Sequence, residues 1–376
     1  MGTKHFKMRI AYLNGGRIPS KDANSVAIAK MCEALALIGH DVTLFAREGD
    51  APADSIPEWF QVAPVFKAII FPPLGFRGTR VATLLVRLAL KVRRLKPDLC
   101  YGRDALSLAA VAHLGRPLVF EAHNIPRAGS LRWKLLEWLM ARRNFLRLVC
   151  ITDSLRRLYL AQFPTLVHDS VIVAASGATE IGLVEPSPSW PGRDQAFQVG
   201  FVGRPYRGKG IETIVAAAAS LEDVDLHIVG AQKGDVAWLE AALPSNIHFH
   251  GYRTQPELGA YYARFDAVVA PYGARVTDAS GTESTNVLSS LKIMEYMSSG
   301  IPLVASNIPG VSEVLTDGDT ALLIPPGDVA AFVAAIERLR SEPDLGRRLA
   351  TRARDRCLES YTWAARARLV LDGLII

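Results

Sequence analysis

Lys292 and Glu295 lie about one helical turn apart in the run Leu291-Lys292-Ile293-Met294-Glu295-Tyr296-Met297. A helix N-terminus offers free N–H groups and the positive end of a dipole, so it attracts anions. Lys292 falls in the first turn, where a cation is unfavourable unless an anion is bound. A carboxylate at Glu295 can accept two hydrogen bonds from a vicinal diol such as a ribose. Taken alone, the same pattern fits a helix with a surface Lys and Glu. Gly203-Arg204 and Lys209-Gly210 set two cations about a glycine-containing turn. Such a pair can clamp a diphosphate, and it also fits a solvated loop. His123 directly follows Val119-Phe120-Glu121-Ala122, and Gly15-Gly16 follows Arg9–Asn14. A lone histidine is usually structural, and a glycine pair after a strand is also an ordinary tight turn.

These residues need elements that bring them to strand ends. Ala267–Ala270 is a short apolar run that reads as a buried strand. A polar loop follows, then the periodic segment Leu291–Ser298, with Ser289 and Ser290 as candidate N-caps. Gly300 stops that helix, and Ile301–Ala305 is a second buried strand. Gln198–Val202 predicts the strand before Gly203, and a helix starts at about Ile211. Ile247–His250 is a strand that ends in Gly251-Tyr252-Arg253. In the first half, a strand over Arg9–Asn14 ends at Gly15-Gly16, a helix covers about Ser25–Ile38, and His40–Ala46 is the next strand. This βαβ unit has no full G-x-G-x-x-G, so dinucleotide binding is poorly supported. Leu118–Ala122 is a strand that sets His123 at its C-terminal end, where open α/β sheets bind ligands. Leu131–Phe145 reads as a helix, Arg147–Thr152 as a strand, and Ser154 as the cap of a helix through Phe163. The alternation predicts two doubly wound, Rossmann-like α/β domains with a cleft between them. The Pro- and Ser-rich stretch Glu185–Asp194 has the composition of a linker.

The run Leu291–Met297, followed by Gly300-Ile301-Pro302-Leu303-Val304, resembles the donor-binding segment of family 4 glycosyltransferases. Those are retaining enzymes of GT-B fold that use nucleotide sugars. The resemblance covers nearly the whole chain. It is strongest across Asp266–Pro326, good at Gly203–Gly210 and thin in the first half. It implies that Glu295 holds the ribose and that amides of Ser290 and Leu291 hold the phosphates. It makes Lys292 and Arg253 donor-binding candidates and gives Glu313 a counterpart. It implies that Arg204 and Lys209 neutralise the diphosphate, and that Gly15-Gly16 faces the donor across the cleft. The run Phe120–Asn124 resembles the segment of the active-site histidine, which would be His123. No metal and no cofactor beyond the nucleotide-sugar substrate is implied. The implied domains are 1–180 for the acceptor and 181–360 for the donor, with 361–376 a helix crossing back to the first. Two positions depart from the pattern. Many members carry a second Glu where this chain has Val287, and the usual Asn-Gly-x-Asp turn is here Ser176-Gly177-Ala178-Thr179. The expected activity is transfer of a sugar to a glycan or lipid-linked acceptor, in cell-surface polysaccharide or glycolipid synthesis. The alternatives are an epimerase or phosphorylase on the same fold, or a nucleotide-sugar-binding module without turnover.

Composition bounds the rest. The chain has 376 residues, 49% hydrophobic and 21% charged, enough for two cores and too apolar for disorder. No apolar run reaches the roughly 18 residues of a spanning helix, and the start of the chain does not read as a signal peptide. Four scattered cysteines suit a reduced, cytoplasmic protein without structural zinc. Net charge is +10 over residues 1–185 and −4 over residues 186–376, so the first half is expected to meet an anionic partner. Arg80, Arg87, Lys91 and Arg94 fall in one stripe of a helix over Thr79–Lys96, beside an apolar face of Val81, Leu84, Leu88, Val92 and Leu95. Leu131–Arg147 adds Trp133, Trp138 and Phe145 among five basic residues. Such helices can lie on anionic membrane surfaces, which predicts a peripheral protein on the inner membrane face. No nucleic-acid motif is present, and nucleic acid is not expected as a partner.

Overall fold

The computed structural model describes residues 7–75, 79–182, 184, 190–239, 242–277, 283, 285–289 and 291–374. The chain divides into two compact units: Met1–Gly177 with Trp363–Ile376, and Ala178–Thr362. The N-terminal unit opens with β1 (Arg9–Ile18), α1 (Ala23–Leu37), β2 (Asp41–Glu48), α2 (Ile56–Phe60) and β3 (Lys67–Phe71). It continues with α3 (Arg80–Leu95), β4 (Leu99–Gly102), α4 (Ala105–Ala112), β5 (Leu118–Ala122), α5 (Leu131–Met140), β6 (Phe145–Cys150), α6 (Asp153–Gln162) and β7 (Val171–Val173). The C-terminal unit starts with β8 (Phe197–Val202), α7 (Ile211–Ala218), β9 (Val224–Val229), β10 (Ile247–Gly251), α8 (Gln255–Tyr262) and β11 (Ala267–Ala270). After these come α9 (Leu291–Ser299), β12 (Leu303–Ser306), α10 (Pro309–Ser312), β13 (Leu322–Ile324), α11 (Val329–Ser341) and α12 (Pro343–Ser360). The chain then returns, and α13 (Trp363–Leu371) belongs to the N-terminal unit.

Each unit is built on one parallel sheet. The orders are β3-β2-β1-β4-β5-β6-β7 and β10-β9-β8-β11-β12-β13. Strands such as Leu118–Ala122 and Ala267–Ala270 are buried at every position, because helices cover both faces of a parallel sheet. In both sheets the order reverses beside the first strand, between β1 and β4 and between β8 and β11. Such a reversal leaves a crevice at the strands' C-terminal ends, where α/β sheets bind ligands. Gly15 lies just past the last pairing of β1 with β4, at Leu13, and His123 follows the end of β5; Gly203 follows the end of β8 in the second sheet.

Three expectations are corrected, and one helix was not expected. β1 does not end at Gly15-Gly16. It runs on to Ile18, and its pairing with β2 shifts register between Leu13 and Arg17, so the glycines form an irregularity inside the strand. A bulge re-aims the backbone without ending the pairing. The helix from Leu131 stops at Met140. Asn144 Nδ2 donates to Arg116 O at 2.6 Å, which ties down the connecting loop, and Phe145 already pairs with Leu118 in the sheet. Thr152, not Ser154, caps α6, its Oγ1 accepting from Leu155 N at 3.1 Å. The helix Ala105–Ala112 is absent from the sequence reading; Asp104 caps it by accepting from Ser107 N at 3.0 Å. The four cysteines are buried and free. No described helix is long and apolar enough to cross a membrane.

Candidate functional site

In the C-terminal unit, α9 packs Ile293, Met294, Tyr296 and Met297 into the core, which turns Lys292 and Glu295 to the other side. Leu291 is the first helical residue, and Ser290 lies outside the described residues. Lys292 Nζ is buried and makes no hydrogen bond among the described residues. It sits 3.5 Å from the centroid of the Phe201 ring and 5.7 Å from that of Tyr272. Burial and the charge of Lys209 hold its pKa well below the usual lysine range, against a smaller opposing pull from Glu295. Glu295 accepts from Gln255 Nε2 at 3.4 Å, and burial pushes its pKa up to about 6.

Gly203 makes this packing possible. A Cβ there would meet Lys292 Cε at 3.1 Å and Nζ at 3.3 Å, and its φ of 141° suits glycine alone. Lys209 Nζ also lies 5.7 Å from the centroid of the Tyr272 ring, so both amines approach one aromatic ring. Gly210 opens α7 at φ 106°, with a would-be Cβ 2.6 Å from Pro271 O, so the Lys209 turn presses on the end of β11. Arg204 Nη1 donates to Tyr206 Oη at 2.9 Å on the exposed side of that turn. Arg253 Nε donates to Tyr261 Oη, and its Nη1 donates to Tyr252 O at 3.1 Å. Val287 is buried in a short 3-10 turn, and Glu313 is the C-cap residue of α10. The structure thus gathers Lys292, Glu295, Lys209 and the backbone of Gly203. Gln255, Phe201 and Tyr272 complete the group and were missed by the sequence reading, since nothing local marks them.

In the N-terminal unit, Gly15 abuts Asp104. A Cβ at Gly15 would stand 2.5 Å from Asp104 Oδ2. Gly16 N donates to Asn14 Oδ1 at 3.0 Å. His123 Nε2 lies 2.7 Å from Glu121 Oε1, and its Nδ1 lies 2.9 Å from Arg103 Nη2. Glu121 is buried. Burial alone would raise its pKa, but Arg366, His123 and Arg103 hold it well below the usual carboxylate range. Arg103 and Arg366 were not singled out from sequence, and Glu121 was seen only as part of the histidine run. The available signal was a carboxylate inside an otherwise apolar strand.

Residues 25–174 match the family described as "Glycosyltransferase Family 4", and residues 196–342 match "Glycosyl transferases group 1". A D-inositol 3-phosphate glycosyltransferase of Arthrobacter sp. (strain FB24) is 25% identical over 416 residues, spanning 97% of this chain and 94% of its own. A GDP-mannose-dependent alpha-mannosyltransferase of Mycolicibacterium smegmatis is 27% identical over 386 residues, spanning 98% and 96%. Among solved structures, Anabaena HepE in complex with UDP and glucose superposes with a TM-score of 0.72 at 19% identity, covering 98% of this chain and 100% of that one.

Proposed function

The chain is a family 4 glycosyltransferase of GT-B fold acting on nucleotide sugars, and on that premise we propose how its residues serve the transfer. The observation that carries the proposal is Lys292: a buried ammonium with no hydrogen bond among the described residues, beside the Lys209 turn. An unpaired buried cation is costly, and a diphosphate is the anion that matches this pair. Lys292, Lys209 and Arg204 hold the diphosphate, and the N–H groups at Leu291 complete its shell. Glu295, one turn on, accepts from the ribose hydroxyls.

The reaction retains the anomeric configuration. The bond from the anomeric carbon to the diphosphate oxygen breaks, and charge grows on that oxygen as the cations stabilise it. The acceptor hydroxyl attacks on the same face, and its proton passes to the departing phosphate oxygen. Val287 is buried and apolar at the position where many relatives carry a carboxylate, so no nucleophile is available there for a double displacement. Neutralisation by these side chains makes the reaction independent of added metal, and His123 orients the substrates.

The acceptor is a glycan or a lipid-linked sugar met at an anionic membrane surface. Support comes from α3 and α5. Leu88 and Val92 pack inward, while Val86 (59% exposed) and Leu90 (52%) stand out beside Lys91 and Arg94. Leu131 is 82% exposed at the start of α5, and Trp138 on that helix is also exposed. Arg87 is tied to the protein, over the Phe71 ring at 5.2 Å and donating to Pro72 O at 3.1 Å. Co-sedimentation with liposomes tests this: binding requires anionic lipid, falls steeply with salt and weakens when Lys91 and Arg94 become Glu. Equal binding to neutral and anionic liposomes, or none, refutes it.

A thermal-shift panel of UDP and GDP sugars and free nucleotides tests the donor site, because a ligand of the native state raises stability. Proton NMR of the product then reads the anomeric configuration, with and without EDTA. No stabilisation by any nucleotide refutes the assignment, and inversion refutes the mechanism.

A further inference from the structure

Glu121 stands in β5, a strand whose five residues are all buried. A carboxylate in such a place must be fully paired. Oε2 accepts from the Tyr101 hydroxyl and lies 3.0 Å from Arg366 Nη2. Oε1 lies 2.7 Å from His123 Nε2 and 3.6 Å from Arg103 Nε. Arg366 reaches this point from α13, after the chain has passed through the whole C-terminal unit and returned. Its Nε donates to Ala175 O at 2.8 Å, its Nη1 to Met31 Sδ at 3.4 Å and its Nη2 also to Ala174 O at 3.4 Å. The guanidinium is 4% exposed and spends every direction inside the unit.

This arrangement decides where the proton of His123 sits. Arginine offers donors only, so Arg103 donates and His123 Nδ1 accepts. The single proton of the neutral ring is then on Nε2, which donates to Glu121. Neither ring nitrogen is left to take a proton from a substrate. The charged groups acting on the ring are Arg103 from the turn after β4, Glu121 from β5 and Arg366 from α13, while Tyr101 from β4 and Tyr12 from β1 face Glu121 and Arg366. Burial keeps both phenols neutral, so the surrounding charge sums to one positive unit. A second proton on the ring would meet that charge. Burial first, and Arg103 second, push the ring's pKa down to about 4.

We propose that Arg366 and Glu121 are positioning residues for His123. The C-terminal helix supplies the charge that keeps Glu121 ionised, and Glu121 holds the imidazole in one tautomer and in one orientation. The proposal rests on His123 serving the transfer reaction. It adds that the ring moves no proton there, which leaves the acceptor's proton to the donor phosphate oxygen.

The test has one arm that needs no turnover. Histidine-labelled protein is followed by ring nitrogen NMR, with the His123 signals identified by their loss in His123→Gln. The expected result is one neutral Nε2–H tautomer, unchanged from pH 8 to pH 5.5. Titration of that ring near its ordinary value of about 6.5 overturns the proposal. The second arm compares Arg366→Met and Arg366→Lys by kcat and KM across the same pH range. In Arg366→Met the first of the charges that hold Glu121 ionised is gone, so the carboxylate takes up a proton more readily as pH falls and loses its charge-assisted hold on the Nε2–H of His123. We expect kcat at pH 6 to fall about 10- to 100-fold, the scale of one lost charge-assisted hydrogen bond, with recovery toward pH 8 and an unchanged donor KM. Arg366→Lys keeps the charge, restores the flat profile and serves alone with the NMR if the methionine variant does not fold. A folded Arg366→Met enzyme with the wild-type pH profile, or a loss in both variants that is the same at every pH, means that Arg366 is only structural. An enzyme without transfer activity but with the expected NMR result refutes the reaction and leaves the positioning intact.

Discussion

Lys292→Met should strengthen the empty protein and weaken its hold on nucleotide, two effects of opposite sign from one atom. The wild-type ammonium is buried, makes no hydrogen bond among the described residues and leans on Phe201 at 3.5 Å. Holding an unpaired charge there costs several kcal/mol, and the ring contact returns at most about 2 kcal/mol. Methionine keeps a stem of similar length on the same ring and adds a sulfur–aromatic contact of about 0.3–1.5 kcal/mol. The net gain in the absence of ligand is about 1–3 kcal/mol, at roughly 2–4 °C of Tm per kcal/mol for a unit of this size. Once a diphosphate occupies the site, the lost charge-assisted bonds cost about 1.5–3 kcal/mol, or about 10- to 100-fold in Kd. The pH dependence has a definite sign. The folded-state pKa is depressed, so at neutral pH the unfolded chain holds the proton more firmly than the native one. Wild-type stability therefore rises as pH climbs toward the unfolded value of about 10.4, and the gap to the variant closes. Urea denaturation at several pH values and calorimetry with UDP and GDP measure both halves. A variant that is less stable than wild type, with unchanged nucleotide affinity, would mean that Lys292 is a packing residue.

Three further outcomes follow from the same geometry. Glu295→Ala should weaken free nucleoside diphosphate by about 1.5–3 kcal/mol in calorimetry; unchanged affinity with the fold intact removes Glu295 from the site. Arg204→Ala and Lys209→Ala should lower kcat more than they raise KM, since charge on the leaving group peaks in the transition state; an effect confined to KM assigns them to ground-state binding. Acid should loosen the C-terminal unit through its buried histidines. His227 donates from Nε2 to Gln198 Oε1 at 2.6 Å and pairs with His250 at 3.0 Å, and burial first, then neighbouring histidine or arginine charge, pushes their pKa values down to about 3 and about 4. Both rings are neutral when folded, so stability is lost as pH falls below the unfolded value of about 6.5, by at most about 2 kcal/mol per ring at pH 5. A denaturation midpoint that is flat between pH 7 and pH 5 contradicts this.

What the sequence determined by itself is what short-range chemistry encodes. Apolar runs such as Leu118–Ala122 and Ala267–Ala270 have the length and composition of buried strands, and they are strands. Gly300, at φ 69°, stops α9 where a left-handed residue is needed. Strand and helix alternate in both halves, and two parallel sheets follow. Even so, local patterns were ambiguous wherever two readings share a composition. The aliphatic and aromatic stretch through Phe145 suits a helix or a strand, and only its pairing with Leu118 decides. Thr152 and Ser154 are both competent caps, and backbone geometry chose the first. A glycine pair permits a turn or a bulge, and the partner strand β2, continuing to Glu48, made it a bulge. The rest was decided only by tertiary structure. That Lys292 is buried over Phe201 depends on β8 and on the missing Cβ of Gly203. That Glu121 is ionised depends on Arg103 and Arg366, one from the turn after a neighbouring strand and one from the far end of the chain. Periodicity records which face of an element is apolar, because burial acts on each residue in turn. A pair of opposite charges leaves no such record, since each partner's cost is cancelled by a residue whose distance along the chain is arbitrary and whose position exists only once the sheet has formed.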